Sequence, residues 1–115
     1  MSTFAIAAIT PKSASGGISD VQGGSALTAS TSAAFTIGVR QHFRISLGGA
    51  SDVTATAGVH IRFGLTNNPT AVATDFFIPP AAVMDFYTGD EFDRIALITA
   101  GTGVVPYITR YTTAG

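Results

Sequence analysis

Two short stretches alternate apolar and polar residues with a period of two. In QHFRISLGG, residues 41–49, Phe43, Ile45 and Leu47 alternate with His42, Arg44 and Ser46. In GVHIRFG, residues 58–64, Val59, Ile61 and Phe63 alternate with His60 and Arg62. Successive side chains of a strand point to opposite faces, so each stretch has one dry face and one wet face. That is the signature of an antiparallel sheet packed on one side only. AAFTIGVR, residues 33–40, is in the same phase through Phe35, Ile37 and Val39 and predicts a further strand.

Turn signals divide the rest. TNNPT at 66–70 is a turn, DFFI at 75–78 a short strand that ends at Pro79-Pro80, and VMDFYT at 83–88 another strand. TGDE turns the chain into DRIALIT at 93–99, AGTG turns it again, and VVPYITRY at 104–111 is the last strand. Pro106 lies inside that last run and predicts an edge or a bulge there. Ile78 stands before Pro79 and is driven to extended geometry, which ends one strand and swings the chain to the other sheet. The one helix candidate, residues 79–83, is too short to nucleate alone. Many short strands and thirteen glycines predict one all-β domain, an antiparallel sandwich or barrel.

Residues 1–34 differ from the rest. Only Lys12 and Asp20 are charged there, and SASGG and QGGS are linker material. We expect a short strand at Phe4–Ile9 followed by an extended arm or loop, with the sandwich core over 35–115.

The composition bears on partners. Charged residues are 11% of the chain, against roughly 25% in a typical domain, and hydrophobic ones are 46%. Such a surface is weakly protected against association. The formal net charge is −1, with a single lysine, so there is no basic excess to neutralise phosphates. No stretch approaches the length of a membrane span, and Met1–Ile9 lacks the basic start of a secretory leader. Without cysteine there is no disulfide framework. Neither a membrane nor a nucleic acid is expected as partner.

The charges that exist are segregated. Arg40, His42, Arg44, His60 and Arg62 occupy the polar faces of two strands, with Asp52 as the one acid between them. Asp75, Asp85, Asp90, Glu91 and Asp93 follow with no base among them. Two outcomes fit this pattern: head-to-tail contact between copies, or cross-strand pairing within one chain. A two-histidine metal site would need His42 and His60 to be neighbours, and the acidic turn lacks the spacing of a calcium loop. There is no G-x-S-x-G and no phosphate loop with a lysine. The expectation is a non-enzyme without cofactor or metal.

From His60 to Tyr111 a strand ending RFG, a TNNPTA turn, a short strand into IP, an aromatic-ended strand, an acidic turn into DRIA and a final GTG…YIT strand follow in order. This order resembles small β-sandwich virion proteins of tailed bacteriophages. The resemblance covers the C-terminal half and carries no catalytic motif. It implies a single antiparallel β-sandwich, jelly-roll-like, serving as a capsid decoration (cement) protein that binds and stabilises the shell by protein–protein contact. A neck, tail or fibre component of the same virion is the alternative, and a carbohydrate-binding β-sandwich is another. The implied partners are further copies of the chain, a trimer first, and the major capsid protein or other virion proteins. The implied location is the virion, most simply the capsid surface, after synthesis in the host cytoplasm. Phe76, Phe77, Phe86, Tyr87 and Phe92 are the expected core or subunit-contact residues, and Arg40, Arg44 and Arg62 the expected polar contacts.

Overall fold

The computed structural model describes residues 9–12, 19–49 and 57–113. Eight strands and no helix are found there: β1 (Ile9–Pro11), β2 (Ala33–Thr36), β3 (His42–Gly49), β4 (Val59–Gly64), β5 (Phe76–Ile78), β6 (Val83–Tyr87), β7 (Arg94–Ile98) and β8 (Val104–Thr113). They form two four-stranded sheets, ordered β1-β8-β3-β6 and β2-β7-β4-β5, with every pairing antiparallel.

The alternation decides what is buried. Phe43, Ile45 and Leu47 of β3 and Ile108 of β8 share one hydrophobic cluster with Val59 and Ile61 of β4 and Ile95 and Leu97 of β7. The first four come from one sheet and the last four from the other, so the core lies between the sheets. The same arithmetic sends His42, Arg44 and Ser46 to the outside of one sheet and His60 and Arg62 to the outside of the other.

Three expectations are revised or refined. The strand expected over 33–40 stops at Thr36. Gly38 and Arg40 have positive φ, 100° and 53°, a conformation no strand sustains. Thr88, buried, fixes this corner: its hydroxyl donates to the Gly38 carbonyl at 2.8 Å and accepts the Gln41 N–H at 3.0 Å. The edge expected at Pro106 also changes. β8 is an interior strand, and Pro106 is buried opposite Leu47. Among the described residues β1 lines β8 only at Tyr111–Thr113, so none of them pairs with Pro106 on that side. The double proline does end β5, and the chain enters the other sheet as β6 four residues later, between Ile78 and Val83.

The first third is described in part. The expected strand at Phe4–Ile9 lies outside the described residues except for Ile9, which begins β1. Residues 20–27 follow β8 of the first sheet closely. Val21 and Gln22 donate their N–H groups to the Ile108 carbonyl, and Leu27 donates to Val104 and is buried. Asp20 receives the Arg110 N–H at 2.8 Å and its Nε at 2.9 Å.

Gly58 sits where β4 meets β5. A Cβ there would strike the Ile78 carbonyl oxygen and come within 2.6 Å of the Phe77 ring. Backbone cannot yield as a side-chain tip can, so Gly58→Ala is expected to pry β5 from β4. The expected cost is about 1–3 kcal/mol, the range of overpacked sites. A thermal melt that matches the wild type would contradict this placement.

Candidate protein-contact surface

Among the described residues β5 and β6 are edge strands of their sheets, and the short 79–82 connection joins them. The register sets the direction of each side chain. Ile78 lies opposite Val59 and Phe76 opposite Ile61, so both belong to the inner face, while Phe77 lies beside His60 on the outer face. On β6, Met84 and Phe86 face inward opposite Ile45 and Phe43, and Val83, Asp85 and Tyr87 face outward.

An edge cannot cover everything it carries. Phe76 is 57% exposed, Val83 56%, Tyr87 51% and Phe77 48%. Phe76 nevertheless meets Phe86 edge-on, with ring centroids 6.2 Å apart, which ties the two sheets' edges together. Phe77 lies 5.0 Å from the His60 ring. Behind them Phe43, Phe63, Phe86 and Phe92 form a connected aromatic cluster, with centroid separations of 5.4–5.9 Å. Of the five aromatics expected from the sequence, Phe76, Phe77 and Tyr87 are therefore at the surface. Phe86 and Phe92 are half-buried and act in packing.

The arginines expected to make polar contacts are engaged within the chain. Arg44 Nε and Nη2 donate to the two Asp85 oxygens at 2.7 and 3.0 Å, directly across β3 and β6. Arg40 reaches Asp90 at 2.6 Å, and Arg62 grips Asp75 through both Nε and Nη2 at 2.9–3.1 Å. Arg94 and Arg110 have Asp93 and Asp20. All five arginines of the chain pair internally, so the second of the two outcomes above is the one observed.

These pairs carry a pH dependence. The Arg44 hydrogen bonds hold the Asp85 carboxyl below its ordinary range, against a smaller opposing effect of desolvation. Asp75 is lowered mainly by Arg62, with the Val72 N–H adding to it. A depressed folded pKa gives stability that is present above the unfolded value and lost as pH falls through the folded one. The contribution of these two pairs is thus expected to be complete above the ordinary Asp value of 3.8 and to be lost as pH falls below it. The double change Asp75→Asn, Asp85→Asn should flatten that acid limb in urea titrations run at stepped pH; an unchanged limb would contradict it.

The segment between β4 and β5 covers the outside of its sheet. Ala71 is buried and donates its N–H to Ser32 Oγ, Asn68 accepts from Arg94, and the Thr66 N–H reaches Asp93. Pro69 lies so close to Gly64 that a Cβ there would meet its ring at 2.9 Å, which explains the glycine of RFG. Beside this segment is an open cleft of about 270 Å³, lined by Ser30, His60, Ala73, Ile98, Thr99 and Ala100. His60 Nδ1 donates to the Asp75 carbonyl at 2.9 Å. His42 and His60 are on the outer faces of different sheets, so the two-histidine metal pair considered above does not form. Among the described residues no group of three His, Cys, Asp or Glu side chains is placed to hold a metal.

Leu65, Val72 and Val83, also exposed, were not singled out from the sequence. Val83 was within reach, since it shares the phase of Asp85 and Tyr87. Comparison with protein-family models, with curated proteins and with solved structures gives no match.

Proposed function

We propose that the chain is a structural component of a tailed-phage virion: a capsid decoration protein of jelly-roll type that adheres to the shell, as a homo-oligomer, through protein–protein contact. The observation that carries this is the exposed apolar edge at β5, where the Phe76 and Phe77 rings are about half exposed. Contact surfaces are enriched in aromatics and poor in charge at their centres. The strand order supports the fold part of the reading. The sheet orders β1-β8-β3-β6 and β2-β7-β4-β5 support a jelly roll, a two-Greek-key scaffold of capsid and lectin domains. That support is analogy of fold, and the side chains must supply the function.

The mechanism is side-chain adhesion. β5 has three residues and ends at a proline, and β6 carries Asp85, so neither edge invites strand addition from a partner. The apolar rings bury surface, and many weak contacts on one particle add through avidity. Because the arginines are already paired, adhesion should depend little on salt. The test is rebinding of the purified chain to particles that lack it, at low and high salt. Saturable binding that survives high salt is expected; no binding would overturn the proposal.

A further inference from the structure

All three tyrosines of the chain lie on one face. Tyr87 and Tyr111 flank His42 in one row across β6, β3 and β8, and Tyr107 lies two rows away beside Ser46 and Val83. Between these rows is the row of Asp85, Arg44 and Thr109. From this arrangement we infer that the outer face of the β1-β8-β3-β6 sheet is a binding platform for neutral saccharides.

Three features carry the inference. The first is a held aromatic surface. The His42 ring lies 4.5 Å from Tyr87 and 5.6 Å from Tyr111, so Tyr87 is braced from one side while half of it remains exposed. Tyrosine offers such area at low entropic cost, having only two side-chain torsions to fix. A ring of this kind suits the C–H-bearing face of a sugar.

The second is the Arg44–Asp85 fork. Arg44 uses one hydrogen on Nε and one on Nη2. A guanidinium has five N–H groups, so donors remain, and each Asp85 oxygen retains acceptor capacity. The planar pair thus presents fixed donors beside fixed acceptors, which matches adjacent hydroxyls that both give and take hydrogen bonds. Arg44 also lies 6.0 Å over the Tyr111 ring, which is buried and steadies it.

The third is charge. The ion pair is complete within the chain, so the Asp85–Arg44–Thr109 row carries no net charge to attract an acidic or basic ligand. A protein partner would also be poorly served, because interface centres are depleted of charge and this one has an ion pair at its middle. Ser46 and Thr109 add hydroxyls around it. Neutral polyhydroxylated chains fit what remains.

The experiment uses the isotope-labelled full chain, titrated with maltoheptaose, cellopentaose, chitotetraose and mannan oligomers while amide shifts are followed. At least one saccharide is expected to shift residues of β3, β6 and β8 on this face. Tyr87→Ala and Arg44→Gln should each weaken that saccharide by about tenfold, the scale of one aromatic or charged contact, with the remaining spectrum preserved. Leu65→Ser, an exposed residue just past β4 of the other sheet, should leave it unchanged. The inference is overturned if no saccharide moves this face, if the shifts map elsewhere, or if Tyr87→Ala binds like the wild type.

Discussion

Phe43→Ala is expected to remove about 3–5 kcal/mol of folding stability, the range for a buried aromatic cut to alanine. Phe43 has no exposed surface. Its ring stacks on Phe86 at 5.4 Å and meets Phe63 at 5.9 Å, so it joins the edge strand β6 to the opposite sheet through Phe63 on β4. Deleting it opens a cavity between the sheets and leaves Phe86 and Phe63 without a common partner. Small domains are stable by only about 5–15 kcal/mol, so the variant would sit near the limit of folding. Urea denaturation followed by circular dichroism measures the loss. Phe43→Leu, which keeps most of the volume, should cost markedly less. A Phe43→Ala midpoint close to wild type would mean that the aromatic cluster is not the joint between the sheets.

The second large effect concerns adhesion. The double change Phe76→Ser, Phe77→Ser is expected to weaken rebinding to the particle by at least about thirtyfold, which corresponds to roughly 2 kcal/mol, the threshold for a contact hot spot. Its cost in stability should be modest. Both rings are about half exposed, and the one aromatic contact with the interior is the edge of Phe76 on Phe86. Arg62→Gln is the matched control, because the Arg62 charge is already paired with Asp75 within the chain. A large loss with Arg62→Gln and none with the phenylalanine pair would reverse the account, making adhesion electrostatic after all.

Much of the fold was legible because one rule generated it. β3 and β4 each have a dry face and a wet face, and a period of two cannot be satisfied any other way. The double proline was equally direct, since Pro79 removes a donor and constrains Ile78. What could not be read was whatever depended on another strand. Arg44 and Asp85 are 41 residues apart, and only the β3–β6 register sets them opposite each other. The gathering of Tyr87, Tyr107 and Tyr111 on one face depends on β8 and β6 both flanking β3, which no local pattern encodes. The early end of β2 was hidden for a different reason. Phe35, Ile37 and Val39 keep strand phase, but Gly38 and Arg40 take positive φ to meet Thr88 and Gly89 across the corner. The exposed flank lies between these cases. Its aromatics were visible at 76, 77 and 87, while the distinction from the interior pair Phe86 and Phe92 needed the sheet edges.

The central claim is that this chain coats a shell. The copy number per purified particle, by quantitative mass spectrometry against the major capsid protein, tests it most directly. The account predicts a stoichiometry comparable with that of the capsid protein. A small fraction of it would move the chain to the neck, tail or fibres, and absence from the particle would contradict the virion assignment altogether.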